Sequence, residues 1–183
     1  MKDTHKTLQY TLTAIIPLII ILASFRMLAF NTQFYYDEMS SNKVYEKTDP
    51  SQAQQLTNQV INFLKKGEPI TSNAFTNDEL KHLEDVRALT TKTITLLYLL
   101  IALAITLTIS LKIKKKEDEI ATSAFQGGII TIAIILILVL LSTFAFGQTF
   151  TLFHKALFNN NLWLLPAEST LIKLLPEQFF IDF

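Results

Sequence analysis

The stretch GIITIAIILILVLLSTFAF, residues 128–146, decides the fold class of this chain. It contains no charged residue and consists mainly of isoleucine, leucine and valine. A helix needs about 20 such residues to cross a hydrocarbon core of roughly 30 Å, and a backbone inside lipid must pair its own amides. The stretch therefore predicts a transmembrane α-helix.

Two further stretches have the same character. Residues 93–111 carry no charge, and residues 12–30 are mostly apolar and are interrupted by Pro17 and Arg26. The chain has few of the turn signals that separate the strands of a membrane barrel, which argues against that architecture. We predict a mainly α, polytopic helical membrane protein with three spans and a small extracytoplasmic layer that contains interfacial helices.

The first stretch also has features of a secretory signal peptide. Lys2 and Lys6 precede it, and Ala23 is a small residue near its end. Its apolar run is longer than the roughly 7–15 residues of a typical signal peptide. We therefore expect a retained helix rather than a cleaved leader.

Charge sets the expected orientation. Residues 112–116 include four lysines, which the positive-inside rule keeps in the cytoplasm together with Lys2 and Lys6. The segment between the first two spans has nine acidic and six basic residues, which suits the outside. The predicted segments are a cytoplasmic N-terminus (1–11), a first span (12–30), an extracytoplasmic segment with helices (31–90), a second span (91–111), a basic cytoplasmic loop (112–126), a third span (127–147) and an extracytoplasmic or interfacial tail (148–183).

Composition excludes several kinds of chemistry. The 16 basic residues equal the 16 acidic ones, so no net basic charge attracts nucleic acid. The absence of cysteine excludes disulfides, thiolate metal sites and a cysteine nucleophile. Four glycines form no phosphate-binding motif. We expect no cofactor and no nucleic-acid partner, and the sequence carries no signal for an oligomeric state.

The segment between the first two spans contains helix signals. Ser51 is predicted to cap a helix that ends at Gly67. Thr76 and Glu79 have the spacing of a capping box for a second helix, which continues into the second span. Residues 34–37 are predicted to be extended.

The tail alternates apolar runs with helix breakers. Residues 150–158 predict a helix that continues from the third span and is ended by the asparagines at 159–161. Pro166 and Pro176 then divide the apolar tail into pieces too short to span a membrane, which favours interfacial helices. Pro176 fits the first position of such a helix.

Two histidines are candidate catalytic residues. His82 precedes the second span and His154 follows the third, each within about two or three helical turns of the outer end. Side-by-side packing of those spans would bring both rings to the same depth. Because histidine titrates near neutrality, one ring can accept a proton while the other donates one. Asp85 lies on the His82 face of its helix and is expected to orient that ring.

Other interpretations of these residues remain open. His82 with Asp85 is also typical of a solvated surface pair, and His154 of an interfacial residue. A zinc site built from the three side chains lacks a compact ligand motif, so no metal is predicted. His5 is expected to be a solvated residue on the cytoplasmic side.

Several residues are candidates for supporting roles. Arg26 either extends to the lipid headgroups or holds a developing oxyanion. Asn159 and Asn160 either form only a turn or donate amide hydrogens to that oxyanion. Three aromatic residues are candidates for contact with substrate or the membrane interface: Tyr35, Tyr36 and Trp163.

Three blocks of sequence together resemble a known family. They are FTNDELKHLEDVR (75–87), FHKALFNNNLW (153–163) and LIKLLPEQFF (171–180). The helix before FLKKG (63–67) and the layout of the spans agree with them. The chain is similar over essentially its whole length to the lipoprotein intramolecular transacylase (Lit) family of bacterial integral membrane proteins.

The resemblance implies an activity and a partner. Such proteins act in the bacterial cytoplasmic membrane on lipoproteins whose N-terminal cysteine carries a diacylglyceryl thioether. They move the sn-2 acyl chain to the α-amino group of that cysteine and form the lyso-form lipoprotein. The two external histidines that form the family's catalytic pair match His82 and His154, and membrane lipid surrounds the site on the outer face.

The chemistry of the residues is compatible with this activity. The nucleophile is the amine of the substrate, with a pKa of about 8, so the enzyme needs a base but no nucleophile of its own. The glyceryl oxygen needs a proton as it leaves. The residues leave open which histidine is the base; the working assignment is His154, with His82, oriented by Asp85, as its partner. Holding the amine and the ester together adds the advantage of an intramolecular reaction.

One feature departs from the family. Its members generally have a fourth span after the block that ends in two phenylalanines, whereas this sequence stops at Phe183. The expectation is a truncated or shorter member, whose substrate groove would be open on one side and whose activity would suffer. The alternatives are a non-enzymatic membrane protein-interaction module, favoured by the apolar tail, and a metal-dependent membrane hydrolase.

Overall fold

The computed structural model describes residues 4–183, which form helices and no β-strand. Lys2 and the start of the predicted N-terminal segment lie outside the described residues. The helices are α1 (Thr4–Ala29), α2 (Thr32–Ser41), α3 (Pro50–Lys66), α4 (Asn77–Ile113), α5 (Glu117–Phe144), α6 (Phe146–Leu157), α7 (Thr170–Leu174) and α8 (Glu177–Asp182), with a 3₁₀ turn at Val44–Glu46. The predicted mainly α class is confirmed.

Three of these helices, α1, α4 and α5, are long and apolar enough to cross a membrane. The prediction of three helical spans is therefore confirmed. The apolar part of α4 begins after Lys92, so the first 16 residues of this 37-residue helix are polar and lie outside the span. These polar turns carry His82 and Asp85.

The chain forms two compact units. One comprises the residues up to Arg26 together with Lys92–Leu141, and contains most of the apolar length of the three long helices. Its core is formed by Leu12 and Ile15 of α1 with Leu107 and Leu111 of α4. Most of the large side chains of α5 are exposed, as expected of a helix that faces lipid.

The other unit comprises Met27–Thr91 and Ser142–Phe183. It contains α2, α3, the polar start of α4 and the tail helices α6, α7 and α8. Its main core joins side chains from all these parts except α6 and α8: Met39, Val44, Ala53, Leu56, Val60, Phe75, Leu83, Leu171 and Leu174. A smaller cluster packs Tyr35 of α2 against Ile61 of α3 and Phe179 of α8.

The helix boundaries correct two predictions for the segment between the first two long apolar helices. Asp49, not Ser51, caps α3, because its carboxylate accepts a hydrogen bond from Gln52 N and is followed by Pro50 at the first helical position. The predicted end of α3 at Gly67 is confirmed, since this residue has a left-handed φ of +77°. Residues 34–37 are helical rather than extended, because Asn31 caps α2 through Phe34 N.

The structure of the tail corrects two further predictions of helix boundaries. Residues 150–157 belong to α6, which does not continue from α5: Ala145 leaves the helical region at φ −142° and ψ 32°, two residues before Gly147. The helix ends just before the three asparagines, as predicted. Pro176 is the N-cap of α8 rather than its first residue. With five and six residues, α7 and α8 are too short to span a membrane, as expected.

Candidate active site

His82 of α4 and His154 of α6 lie next to each other. Their ring centroids are 6.2 Å apart and their planes differ by 35°. Phe158, one residue beyond α6, contacts both rings, at 5.5 Å from His82 and 5.6 Å from His154. The structure therefore brings together the two histidines that the sequence analysis selects.

The position of His82 depends on the start of α4. Thr76 N donates to Glu79 Oε2 at 2.7 Å, and Glu79 N donates to Thr76 Oγ1 at 3.3 Å. The predicted capping box is confirmed. Because both bonds satisfy amides that the first turn of a helix leaves free, they fix the helix start about one and a half turns before His82.

The hydrogen bond of His154 defines its tautomer. His154 Nδ1 lies 2.7 Å from the carbonyl oxygen of Phe150, one turn earlier in α6. A carbonyl oxygen only accepts, so Nδ1 carries the proton and donates. In the neutral ring, the lone pair is then on Nε2, which is the atom available to accept a proton.

Aromatic side chains enclose the His154 ring, which is only 8% exposed. The centroid of Phe150 is 4.0 Å away, that of Trp163 5.0 Å and that of Phe153 5.4 Å. Trp163 is itself held by a hydrogen bond of 3.0 Å from its Nε1 to Asn160 O. This enclosure keeps water from most of the imidazole.

Burial lowers the pKa of both histidines below its usual value. For His82 the largest cause is burial, the second is the proximity of His154, and the negative charge of Asp85 opposes both. For His154 burial lowers the pKa, and the bond to Phe150 O opposes it. The native pair is therefore neutral near pH 7, and either ring is ready to accept a proton.

Asp85 does not hold the His82 ring by a hydrogen bond. Its Oδ2 accepts from Asn160 Nδ2 at 2.8 Å, and His82 Nδ1 is buried without a partner. Asn160 Oδ1 in turn accepts from Leu162 N at 3.0 Å. The expected hydrogen-bonded orientation of His82 by Asp85 is thus replaced by a contact between α4 and the asparagine turn.

The other candidate residues lie elsewhere. Tyr35 is buried, its hydroxyl donates to Ala29 O at 3.1 Å, and burial raises its pKa to about 12. Tyr36 donates to Asn58 Oδ1 at 3.0 Å. No recorded ring contact joins either tyrosine to the histidines, and their expected contact with substrate or the membrane interface stays a prediction. Arg26 is exposed in the last turn of α1, and Asn159 is exposed beside Asn160.

Sequence reasoning missed part of the enclosure. Phe150 and Phe158 lie four residues before and after His154, which is the spacing of contacts on one helix face. That spacing was visible in the sequence. Among residues 4–183 no group of three or more metal-ligating side chains lies together. The two neighbouring imidazoles can accept and donate protons.

Comparisons with known proteins identify a family and a fold for this chain. A family model described as lipoprotein intramolecular transacylase Lit matches residues 10–180. No curated relative matches the chain. The structure resembles that of the membrane integral lipoprotein intramolecular transacylase Lit from Bacillus cereus, with a TM-score of 0.87, 22% identity, and coverage of 100% of this chain and 86% of that one.

Two variants of the same Bacillus cereus protein are also similar. One has a histidine replaced by arginine, with a TM-score of 0.81, 22% identity and coverage of 99% of this chain and 82% of that one. The other has it replaced by alanine, with a TM-score of 0.80, 21% identity and coverage of 99% and 84%. At this level of identity the structural likeness shows a shared fold.

Proposed function

The chain belongs to the lipoprotein intramolecular transacylase Lit family, and from this premise we propose how its histidine pair works. It is an integral membrane acyltransferase. The proposed substrate is a bacterial lipoprotein whose N-terminal cysteine carries a diacylglyceryl thioether. The sn-2 acyl chain moves from glycerol to the α-amino group of that cysteine, and the product is the N-acyl, S-monoacylglyceryl lyso-form.

One observation carries the assignment of the base. The bond from His154 Nδ1 to Phe150 O leaves the lone pair on Nε2, in a ring that burial keeps neutral. A neutral imidazole with its second nitrogen already held is the arrangement that general-base catalysis requires. We therefore propose that His154 Nε2 takes the proton of the substrate amine.

The proton then needs a path to the leaving oxygen. The amine attacks in its neutral form, and as its nitrogen forms the bond to the ester carbon, one of its two N–H protons moves to His154 Nε2. As the bond from that carbon to the glyceryl oxygen breaks, the oxygen takes one proton. We propose that His154 passes the proton it has taken to His82, whose ring centroid lies 6.2 Å from its own. His82 then delivers that proton to the leaving glyceryl oxygen. One proton is taken and one returned, so the pair ends the reaction neutral.

The tetrahedral intermediate carries a negative oxygen that needs a donor. Asn160 already uses its side-chain amide in bonds to Asp85 and Leu162. Asn159, which is exposed, is the remaining asparagine candidate for this role, and the sequence-based expectation for Arg26 stays a prediction. The charge distribution supports the extracytoplasmic face of the bacterial cytoplasmic membrane as the place of the reaction.

The test is mass spectrometry of a lipoprotein N-terminus after incubation with the purified protein. His154→Ala and His82→Ala are each expected to lower the conversion rate at least about a hundredfold, as for loss of a general base or acid. His5→Ala, which removes the remaining histidine, is the matched control and should retain the rate. Conversion by His154→Ala at the wild-type rate would refute the proposal.

A further inference from the structure

A series of contacts leads from Asp85 to His154. Asn160 Nδ2 donates to Asp85 Oδ2 at 2.8 Å. The carbonyl oxygen of Asn160 accepts from Trp163 Nε1 at 3.0 Å. The indole of Trp163 lies over His154 with a centroid distance of 5.0 Å and an interplanar angle of 31°. The carboxylate beside one histidine is thus connected to the ring of the other.

We propose that Asp85 and Asn160 are positioning residues that hold Trp163 against His154, so that Asp85 serves the base through the asparagine turn. The obvious alternative is a His–Asp pair in which Asp85 orients His82. This inference deepens the proposed function and rests on its assignment of His154. The placement of the indole itself stands on the contacts alone.

The hydrogen bonds favour the turn over the His–Asp pair. His82 Nδ1 has no partner although Asp85 is only three residues away on the same helix. The recorded side-chain partner of Asp85 is Asn160, whose Nδ2 donates to Oδ2, and not the His82 ring. A hydrogen bond to a charged carboxylate is stronger than one between neutral groups, so this contact, although exposed, favours the observed position of the turn.

The turn is fixed from within as well. Asn160 Oδ1 accepts from Leu162 N, which sets the backbone that leads to Trp163. Trp163 is 7% exposed, and its indole N–H, a donor only, is satisfied by Asn160 O. Releasing Asp85 frees the amide end of this turn and lets the indole move, which exposes one face of His154 to water.

An exchange of the two side chains tests the proposal through the rate of lipoprotein conversion. Asp85→Ala is expected to lower it about tenfold, whereas Asp85→Asn, which keeps an acceptor oxygen, loses several times less. Asn160→Asp places two carboxylates face to face and should lose at least tenfold. The double variant Asp85→Asn with Asn160→Asp restores a donor and an acceptor with their roles exchanged, and should recover most of that loss.

A second measurement is independent of the reaction. Trp163 is the only tryptophan of the chain, so its fluorescence reports on the turn directly. Asp85→Ala and Asn160→Asp should shift its emission towards that of a hydrated indole, and the double variant should return it. Unchanged emission in both single variants overturns the proposal. So does Asp85→Asn with native emission but a rate as low as that of Asp85→Ala, which would show that the charge acts on His82.

The two proposals fail in different ways. If His154→Ala lowers the rate but Asp85→Ala shifts the emission without affecting the rate, the positioning role is wrong and the proposed base stands. If His154→Ala itself retains the rate, the proposed function fails. The emission shifts then still decide whether Asp85 and Asn160 place Trp163.

Discussion

Glu79 on α4 accepts a hydrogen bond of 2.8 Å from the backbone amide of Leu171 on α7. Its other carboxylate oxygen accepts from Thr76 N at 2.7 Å, and the residue is completely buried. One carboxylate thus satisfies free amides at the starts of two helices. It connects the helix that carries His82 to the tail segment that follows Trp163.

Replacing Glu79 should destabilise this connection. Glu79→Ala leaves the amides of Thr76 and Leu171 without these partners, and the expected loss is about 3 kcal/mol in the free energy of unfolding. Glu79→Gln keeps one acceptor oxygen and turns an N–H towards the other amide, so its loss should be nearly as large. Thermal unfolding of the purified protein in detergent measures both.

The control for Glu79 is Glu84→Ala, since Glu84 is exposed on the same helix and should change the stability by less than about 0.5 kcal/mol. Equal stabilities of Glu79→Ala and Glu84→Ala would show that the double cap contributes nothing.

Glu79 also shows how far the sequence could predict this site. The spacing of Thr76 and Glu79 was enough to predict the capping box, because both of its bonds are local. The bond to Leu171 was not predictable, because it depends on how the chain returns 92 residues later. For the same reason the sequence identified His82 and His154 but paired Asp85 with His82, three residues earlier, and not with Asn160 in the tail.

The pH dependence of stability follows from the two histidines. Burial lowers the pKa of both His82 and His154 in the native protein, whereas the unfolded chain titrates near 6.5. Below that pH the unfolded chain binds more protons, so this contribution to stability is complete above pH 6.5 and decreases as the pH falls through it. The Tm should therefore decrease between pH 7.5 and pH 5.5.

His154→Phe provides the matched variant for this effect. It keeps an aromatic ring inside the enclosure but removes one titrating group, so its Tm should decrease less over the same range. A decrease as steep as that of the wild type would mean that the native pKa of His154 is not lowered.

The helix boundaries that the sequence misplaced have local physical causes. Aromatic residues at 34–37 favour strands by propensity, but Asn31 caps α2 and the burial of Tyr35 against Phe179 stabilises a helix there. The break at Ala145 occurs in an uncharged segment without proline, between Ser142–Thr143 and Gly147–Gln148, where hydropathy marks no sharp boundary. Composition thus predicted the class of each segment, while caps and tertiary contacts set its ends.

Gly127 and Gly128 allow a sharp test of the packing between α1 and α5. A Cβ at Gly127 would lie 2.8 Å from Ile16 Cβ and 2.9 Å from its Cγ2, whereas a Cβ at Gly128 would have no heavy atom within 4 Å. Both positions are inside α5, so alanine improves helix propensity equally at each. Gly127→Ala should therefore lower the free energy of unfolding by about 1–3 kcal/mol relative to Gly128→Ala, because the two helices must separate to admit the methyl group. The comparison is made by thermal unfolding in the same detergent. If Gly127→Ala unfolds at the same temperature as Gly128→Ala or higher, α1 and α5 do not pack at this position.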